Sequence, residues 1–550
     1  MDFRRQTATV GGLVLLTCLV QVWTISRAVV PAQDAVRYLI VAQGIERDGL
    51  RATLRCQPEQ PLFPALVWTV HRTLCAAGSA TYDNWAICLQ IAAAIPLVLS
   101  VIPVHALFCR FHGERAGLVG ALLYALLGGV ARLGADGLSD STHLALFCTA
   151  VWAATRYFEL ERHGAAGWLF LAGGSTGLAL VARSEAIVVP IAVVGALIWL
   201  QLFRSRRSSW SSVAGALGAL LAGLALILVP YLILSDARTP ADAVARLTGR
   251  RGAQEAAPLN AVASGISPAA IEPRWEAPGQ GRLVFGKKDT SKSSRFRGYA
   301  AAAIKLFEEL AQTLRYWIGA AALLGLWSSR HALSSPLDRF MQFLCAALVA
   351  AAVGVAAQAG YLSTRHLLLL VVLALGWAGA GVFALSGWLG RLIAPDACCP
   401  GWKGRIASSF AKGWPVALAA VLACGAELPR PLHASRTAHR EAARWLARRA
   451  SRKEAVLDSR GFTALYTGLK TYRYEAAQAA FSDPALTYVV VEQEELSAES
   501  RRSETMRWLL THAGEPEARF AATDSEKHGV VIHRWRPERF AQLGVQSYAR

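Results

Sequence analysis

A single carboxylate, Asp34, follows the first long apolar run of the chain by only a few residues. A carboxylate at the edge of an apolar environment is able to accept a proton from a hydroxyl group, as a general base does. An acid in this position is also often a helix cap or a solvated loop residue. The residue type alone leaves both interpretations open.

The densest polar cluster of the apolar part is the segment RLGADGLSDSTHLALF, which contains Asp136, Asp140 and His143. These side chains are candidates to bind a substrate hydroxyl, to orient the neighbours of Asp34, or to bind a divalent cation through oxygen. Two carboxylates and one histidine give only a weak metal signal, and a metal stays open. Asp140, which lies between Ser139 and Ser141, is alternatively an ordinary N-cap of the following helix.

Two arginines are placed to bind a phosphate group. Arg365 follows Tyr361 in the segment YLSTRH, and Arg183 ends the apolar run GLALVAR. A guanidinium binds phosphate oxygens through two parallel hydrogen bonds and stabilises the charge of a leaving phosphate. We therefore predict Arg365, Arg183 and Tyr361 as phosphate-binding residues, with snorkelling arginines at helix ends as the alternative. Glu185 is expected to pair with a basic group.

The composition indicates what surrounds these residues. The 550 residues are 54% hydrophobic and only 17% charged, and the mean hydropathy is +0.34. These values are typical of a polytopic membrane protein and exclude an ordinary soluble enzyme. The net charge of +19 comes mostly from short basic clusters at the ends of apolar runs, which is a topology signal and not a nucleic-acid-binding one. The ten cysteines are mostly scattered singly and predict neither a disulfide framework nor a zinc site.

Apolar runs of spanning length predict about eleven transmembrane α-helices. They lie near residues 7–29, 84–108, 117–133, 141–158, 167–182, 186–203, 211–234, 312–328, 339–358, 366–388 and 412–429. The first run is long enough to stay as an anchor and lacks a small-residue cleavage site. Basic clusters such as Arg110 with Arg115 fall on one side, which the positive-inside rule makes cytoplasmic. The amino terminus is thus predicted in the cytoplasm and the candidate site residues on the extracytoplasmic side.

Three segments are predicted outside the membrane on that second side. The first external loop, residues 30–83, contains a surface helix and prolines at a three-residue interval that predict an extended segment, with Tyr38 and Gln60 as supporting residues. The central external loop, residues 235–311, is either a mobile loop or a gate over a bound substrate. Residues 431–550 combine dense charge with alternating strand and helix patterns, which predicts a small extracytoplasmic α/β domain.

Several motifs resemble those of the GT-C superfamily of membrane glycosyltransferases, which includes protein O-mannosyltransferases and the aminoarabinose transferase of lipid A. An acid followed by YxxxA and then QPLFP, here Asp34, Tyr38 and Ala42, resembles the first external loop of that family. The segments RLGADGLSDSTHLALF, GLALVARSEAIVVP and YLSTRHLLLLVVLALGWAG are similar to later motifs, so the resemblance covers about residues 1–400. Two positions depart from the pattern: Gln33-Asp34 replaces the Asp-Glu of many members, and His366 replaces a common tyrosine.

The resemblance implies a GT-C-like transmembrane catalytic domain over residues 1–430. It also implies an inverting transferase of the cell membrane, which moves a hexosyl or pentosyl group from a polyprenyl-phosphate donor to an acceptor hydroxyl at the extracytoplasmic face. Asp34 would be the catalytic base, Asp136, Asp140 and His143 would support the acceptor or a metal, and the arginines would bind the donor phosphate. The sugar, a possible divalent metal, and the nature of the acceptor (protein, lipid or glycan) stay open.

Three other functions would leave different patterns in the sequence. A lipid or glycan transporter or flippase is expected to show inverted repeats and charges near the middle of the bilayer. An O-antigen-ligase-like transferase is expected to carry its key residues in a large late external loop. An assembly protein that is only anchored by its helices does not need so many of them.

Overall fold

The computed structural model describes residues 3–56, 59–77, 84–160, 165–203, 210–248, 274–278, 281–283, 298–330, 335–359, 361–393, 409, 412–521 and 529–548. The helices are α1 (Phe3–Arg27), α2 (Ala35–Asp48), α3 (Leu50–Cys56), α4 (Leu62–Ala76), α5 (Asn84–Leu126), α6 (Gly128–Asp136), α7 (Asp140–Glu159), α8 (Ala166–Ala182), α9 (Val188–Phe203), α10 (Trp210–Leu234), α11 (Pro240–Thr248), α12 (Tyr299–Thr313), α13 (Trp317–Ser329), α14 (Pro336–Ala359), α15 (Thr364–Ile393), α16 (Trp414–Gly425), α17 (Thr437–Arg449), α18 (Ala477–Phe481), α19 (Gln493–Ser497), α20 (Arg501–Ala513) and α21 (Pro537–Gln542). The strands are β1 (Arg274–Ala277), β2 (Gly281–Arg282), β3 (Ala455–Asp458), β4 (Lys470–Tyr472), β5 (Leu486–Glu492), β6 (Gly514–Phe520), β7 (Val530–Trp535) and β8 (Gln546–Tyr548).

Helical structure lies over each of the segments predicted to span the membrane. Six described helical runs are long and apolar enough to cross a bilayer, namely Gln6–Arg27, Trp85–Leu126, Ser184–Phe203, Trp210–Leu234, Pro336–Gln358 and Thr364–Ile393. Shorter apolar helices, Ala166–Ala182, Trp317–Ser329 and Trp414–Gly425, lie over three further predicted spans. The chain is a polytopic helical membrane protein, and the total of about eleven spans stays a prediction.

The predicted spans 84–108 and 117–133 are not two simple helices. α5 covers the first and the start of the second, and Gly113 inside it has φ 80° and ψ 166°. Only glycine takes this conformation readily, so α5 is two helices joined at this residue. The predicted span 117–133 is wrong as a continuous helix, because Leu127 is extended (φ −61°, ψ 116°) and separates α5 from α6. Gly128 and Gly129 follow it directly, and glycine is a poor helix former.

Small residues let helices of the bundle approach closely. A Cβ atom at Gly325 in α13 would collide with the Trp377 carbonyl of α15, and one at Gly381 in α15 would collide with the Ala321 carbonyl of α13. In a bilayer, helices gain most of their association energy from such close van der Waals packing. These glycines therefore fix α13 against α15, the helix that carries Arg365 near its amino-terminal end.

Residues 30–83, which are predicted to form the first external loop and keep the name first external segment, are helical over most of their described part. The predicted surface helix is present as α2, with Val36 and Leu39 buried and Arg37 exposed. The prediction of an extended proline-rich segment is wrong within the described residues, because Pro61 has helical angles at the N-cap of α4 and Pro64 lies in its first turn. The first turn of a helix tolerates proline, since its first amides have no partner inside the helix.

The central external segment is described only in part. α11 contacts the first external segment through Arg246, which donates hydrogen bonds to the carbonyls of Leu54 and Arg55 at 2.6 and 2.8 Å. Strand β1 pairs antiparallel with β2 and with β8, so this segment is joined to the last described strand of the chain. Most of the stretch for which a mobile loop or a gate is predicted, residues 249–273 and 284–297, lies outside the described residues.

The C-terminal residues form a three-layer α/β unit. Its five-stranded sheet has the order β4-β3-β5-β7-β6, with β3 parallel to both β4 and β5 and the remaining pairs antiparallel. α17 packs on one face with residues such as Leu446, and α20 packs on the other with residues such as Leu509. Since β3, β5 and β7 are almost fully buried, their apolar runs form the centre of this unit.

The α/β unit is attached to the first external segment. The amide of Val29 donates to the carbonyl of Leu432 at 3.1 Å, and the amide of Leu432 donates to the carbonyl of Arg27 at 3.2 Å. Val36 of α2 belongs to the same buried cluster as Phe462. This junction brings the carboxyl ends of the parallel strands to the side of the bundle on which Asp34 lies.

Candidate functional site

Five charged side chains from distant parts of the sequence form a continuous chain of ion pairs. Arg365 donates to Asp34 Oδ2 at 2.6 Å and to Asp140 Oδ2 at 2.7 and 3.0 Å. Arg183 donates to Asp140 Oδ1 at 2.7 Å and to Glu185 Oε1 at 2.7 Å. The order is thus Asp34, Arg365, Asp140, Arg183 and Glu185, and we name this set the ion-pair chain. Glu185 pairs with a basic group, as the sequence predicts.

Asp140 lies at the centre of this chain because of a tight turn. α6 ends at Asp136, and Gly137 follows in the left-handed conformation (φ 65°, ψ 44°). A Cβ at Gly137 would lie 3.2 Å from the Leu89 Cβ, which is a tight contact, so glycine is favoured here mainly by the left-handed conformation. The turn lets α7 begin at Asp140, whose side chain is only 2% exposed.

The interpretation of Asp140 as an ordinary helix cap is wrong. The N-cap of α7 is Ser139, which makes no side-chain capping hydrogen bond. Both oxygens of Asp140 accept instead from Arg183 and Arg365. Ion pairing with two guanidinium groups offsets the free-energy cost of removing this carboxylate from water. The carboxylate in turn fixes the orientation of both guanidinium groups.

The two arginines occupy breaks at helix ends. Arg183 has extended angles (φ −162°, ψ 140°) between the end of α8 and a 3-10 turn, Ser184–Ile187. Arg365 is the second residue of α15. Both reach inward to Asp140, with side chains 15% and 29% exposed. A snorkelling arginine directs its charge to water, so the snorkelling alternative does not describe these two residues.

Asp34 is the most accessible member of the ion-pair chain. It immediately precedes α2, yet its side chain makes no capping hydrogen bond, and it is 52% exposed. Its neighbour Tyr38 is less accessible, and its hydroxyl lies 2.8 Å from Ser139 Oγ. Burial, reinforced by the Asp140 carboxylate, raises the pKa of Tyr38 above its usual value, so this side chain remains a neutral hydroxyl that aligns α2 with the start of α7.

Four predicted site residues are not part of the ion-pair chain. Asp136 accepts from His433 of the C-terminal part at 2.8 Å, so its carboxylate belongs to the junction between the two parts of the chain. His143 is 3% exposed and its Nδ1 lies 3.3 Å from the Ala179 carbonyl. Tyr361 is 61% exposed, with its ring 6.1 Å from that of His366. Gln60 donates weakly, at 3.4 Å, to the Leu247 carbonyl.

The described residues do not provide a donor set for a metal. No group of three or more His, Cys, Asp or Glu side chains lies at metal-binding spacing in the described part of the chain. Arg365 lies between Asp34 and Asp140, the position in which a divalent cation would bridge two carboxylates. The positive charge beside these two carboxylates is thus supplied by guanidinium groups.

A polar cavity of about 390 Å³ opens beside Asp34, between α2 and the α/β unit. Its lining includes residues that follow strands of the C-terminal sheet, such as Ser459, Arg460 and Tyr474. The sequence interpretation did not include these residues. The sequence feature that could have identified them is their position directly after a buried strand, as in EAVLDSR. Residues at the carboxyl ends of parallel strands commonly bind ligands. A larger cavity of about 760 Å³, lined by Arg110, Trp152 and other residues, lies elsewhere in the bundle and contains none of the predicted site residues.

Known proteins resemble this chain in one segment of its sequence and in its fold. The sequence model of the dolichyl-phosphate-mannose-protein mannosyltransferase family matches residues 61–233, which excludes Asp34. A search of proteins with curated functions by sequence gave no match. Solved structures have low sequence identity to this chain, but their structural similarity extends over almost its whole length.

Two of these structures illustrate the similarity. ArnT from Cupriavidus metallidurans bound to undecaprenyl phosphate is 12% identical with a TM-score of 0.57, over 95% of this chain and 98% of that one. The oligosaccharyltransferase AglB from Archaeoglobus fulgidus, in complex with an inhibitory peptide and a dolichol-phosphate, is 12% identical with a TM-score of 0.51, over 96% of this chain and 74% of that one. The resemblance to the GT-C superfamily of membrane glycosyltransferases is confirmed at the level of the fold, whereas the matched residues 61–233 leave the motif at Asp34 a prediction.

Proposed function

We propose that this protein transfers a sugar from a polyprenyl-phosphate donor to an acceptor hydroxyl at the extracytoplasmic face of the cell membrane. The match to a mannosyltransferase family and the polyprenyl phosphates bound by the two similar structures support a lipid-linked donor. The single observation that carries the proposal is the direct contact, at 2.6 Å, of an accessible carboxylate, Asp34, with an anchored guanidinium, Arg365. A base for the acceptor and a cation for the leaving phosphate thus lie within one hydrogen bond of each other.

Arg365 is held in a geometry that suits a phosphate. Asp140 engages its Nε and one terminal nitrogen, and Asp34 engages the other. A guanidinium carries five N–H groups, and these contacts use three of them. The remaining N–H groups, together with the one released when Asp34 is displaced, are available to phosphate oxygens. Arg183 adds a second positive charge on the other side of Asp140.

The reaction follows from this arrangement. The acceptor oxygen attacks the anomeric carbon as Asp34 takes its proton. The bond between that carbon and the phosphate oxygen breaks, and the electron pair leaves with polyprenyl phosphate, so the configuration inverts. Arg365 and Arg183 stabilise the charge that grows on the phosphate, where preorganised donors contribute most.

The ion pair between Asp34 and Arg365 also orders the steps. In the free protein, Asp34 Oδ2 is occupied by the hydrogen bond from Arg365. A donor phosphate competes with Asp34 for the same guanidinium nitrogen. Donor binding therefore frees Asp34 from this contact, so that it can turn toward the acceptor hydroxyl.

The test is sugar transfer by the purified protein with the variant Asp34→Asn. The amide keeps the size and can still accept from Arg365, but it cannot take the acceptor proton. We expect turnover to fall by about 100-fold or more while donor binding is retained or becomes tighter, because the neutral amide competes less with the phosphate for Arg365. Asp48→Asn is a matched control, because Asp48 is an exposed carboxylate at the other end of α2 that pairs with Arg47. Normal turnover by Asp34→Asn would refute the role of Asp34 as the base.

A further inference from the structure

The cavity beside Asp34 lies where an open parallel sheet is best able to hold a ligand. β3 is flanked by β4 on one side and β5 on the other, and both are parallel to it. The chain leaves β3 toward β4 and leaves β5 toward the opposite edge of the sheet, so the carboxyl ends of β3 and β5 flank a topological switch point. Ser459 and Arg460 follow β3, Tyr474 follows β4, and Glu492 ends β5, and all four line the cavity.

Two hydroxyl groups in this lining are buried without an acceptor for their O–H groups among the described residues. Ser459 is 6% exposed and Tyr474 is 2% exposed; Ser459 Oγ has no hydrogen-bond partner, and the Tyr474 hydroxyl has only the Arg502 guanidinium, which donates and cannot accept. The guanidinium of Arg502 lies over the face of the Tyr474 ring, 3.8 Å from its centroid. Buried polar groups without partners are costly and uncommon, so two at one cavity indicate a ligand that supplies the missing hydrogen bonds.

The charges around the cavity balance. Four arginines and four carboxylates line it: Arg37, Arg460, Arg473, Arg502, Asp34, Glu492, Glu494 and Glu495. Several pair directly, as Arg460 does with Glu492 at 2.5 Å and Arg502 with Glu495 at 2.6 Å. A site for a phosphate or another ion would show an excess of the opposite charge. This lining instead suits a neutral ligand with many hydroxyl groups, which both donate and accept.

We propose that this cavity binds a neutral saccharide, the terminal sugar of the acceptor, and presents one of its hydroxyls to Asp34. This assignment rests on the proposed transferase function and narrows its acceptor class to a glycan. Asp34 both lines the cavity and contacts Arg365. The acceptor thus approaches from the α/β unit, and the donor phosphate from the side of the arginines.

Saturation-transfer-difference NMR on the full-length protein in detergent tests this binding without any donor. The probes are the methyl α- and β-glycosides of glucose, galactose, mannose and N-acetylglucosamine, each titrated separately. We expect at least one glycoside to give saturable signals, with a Kd that rises about five- to tenfold in Tyr474→Phe and in Ser459→Ala. Tyr488→Phe is the matched control, because Tyr488 is a buried tyrosine of the same sheet that packs against Trp445 on α17. It should bind as the wild type does.

Several results would overturn the assignment. One is the absence of saturable signal from every glycoside, and another is an unchanged Kd in both cavity variants. Specific binding of inorganic phosphate or of the peptide Ala-Ser-Ala, with no glycoside binding, would indicate an anionic or a protein acceptor. Displacement of the glycoside by undecaprenyl phosphate would assign the cavity to the donor. Because these measurements use no donor sugar, they can fail while the Asp34→Asn transfer assay still supports the proposed function.

Discussion

Replacement of Asp140 by asparagine tests whether the ion-pair chain holds the site together. Asp140 is 2% exposed, and it accepts from Arg183 at 2.7 Å and from Arg365 at 2.7 and 3.0 Å. Asparagine keeps one acceptor oxygen and turns an NH2 group toward the other guanidinium. One of the two arginines therefore loses its hydrogen bonds to residue 140. Its guanidinium instead faces the NH2 group of the asparagine, which is also a hydrogen-bond donor.

The magnitude follows from these contacts. Hydrogen bonds to charged groups contribute about 1.5–3 kcal/mol each, and breaking a buried ion pair costs about 3–5 kcal/mol. Arg183 retains Glu185, and Arg365 retains the half-exposed Asp34. We therefore expect a loss of about 2–4 kcal/mol in the free energy of unfolding, below the full cost of an isolated buried charge. Arg365 also loses its anchor, so kcat/KM should fall by about 100-fold.

The assay pairs the apparent melting temperature in detergent with sugar transfer. We expect Asp140→Asn to melt roughly 2–3 °C below the wild type, because the unfolding entropy of so long a chain is large. Asp136→Asn is the control, because its carboxylate accepts from His433 and the amide oxygen can replace it. Asparagine is as good as aspartate at the start of a helix, so a helix-cap role predicts almost no change. An Asp140→Asn protein with normal melting and normal turnover would refute the reasoning.

The remaining predictions concern the phosphate site, acid stability and topology. Arg365→Lys should lower kcat/KM about as much as Arg365→Ala, by about 1.5–3 kcal/mol, because an ammonium group cannot form the two parallel hydrogen bonds of a guanidinium. Arg339→Lys is the control. Full activity of Arg365→Lys would contradict bidentate binding of the phosphate. Burial by itself would raise the pKa of Glu492, but hydrogen bonds from His439 and Arg460 outweigh it and lower the pKa to about 2. A carboxyl with a lowered folded-state pKa contributes stability above its unfolded value of about 4.3 and loses it as the pH falls toward 2. The melting temperature should therefore drop over this range by more in the wild type than in Glu492→Gln, and equal drops would contradict the assignment. Alkaline phosphatase fused after the last residue should be active in a bacterial host, and a fusion after residue 391 inactive; a stable but inactive C-terminal fusion would overturn the predicted orientation.

The membrane character of the chain and its broad order of segments could be predicted from the sequence. Hydropathy over about 20 residues is a local property, since every backbone polar group in a bilayer must be satisfied within its own helix. Helical structure accordingly lies over each predicted span, and strands form at AVLD, LTYVVVE and VVIHRW. Where local rules compete, the prediction failed, as at Leu127 and at Pro61.

The candidate acids and arginines were also identifiable, because charged residues beside apolar runs are few. Their partners were not. Asp136 and Asp140 are four residues apart, yet the left-handed turn at Gly137 directs one to His433 and the other to the two arginines. Sequence spacing gives the direction of a side chain only within one regular helix. Here the two acids lie at the end of one helix and the start of the next.

The contacts that define the site join residues far apart in sequence. Asp34 and Arg365 are separated by 331 positions, and Asp140 and Arg365 by 225. The cavity beside Asp34 depends on the docking of the α/β unit onto the first external segment. Composition and hydrophobic periodicity were enough to predict which residues could act as a base or bind a phosphate and which segments enter the membrane. Both depend only on local sequence. Which of those residues meet could be learned only from the folded protein, because ion pairing and burial depend on how separate helices and the C-terminal sheet pack together.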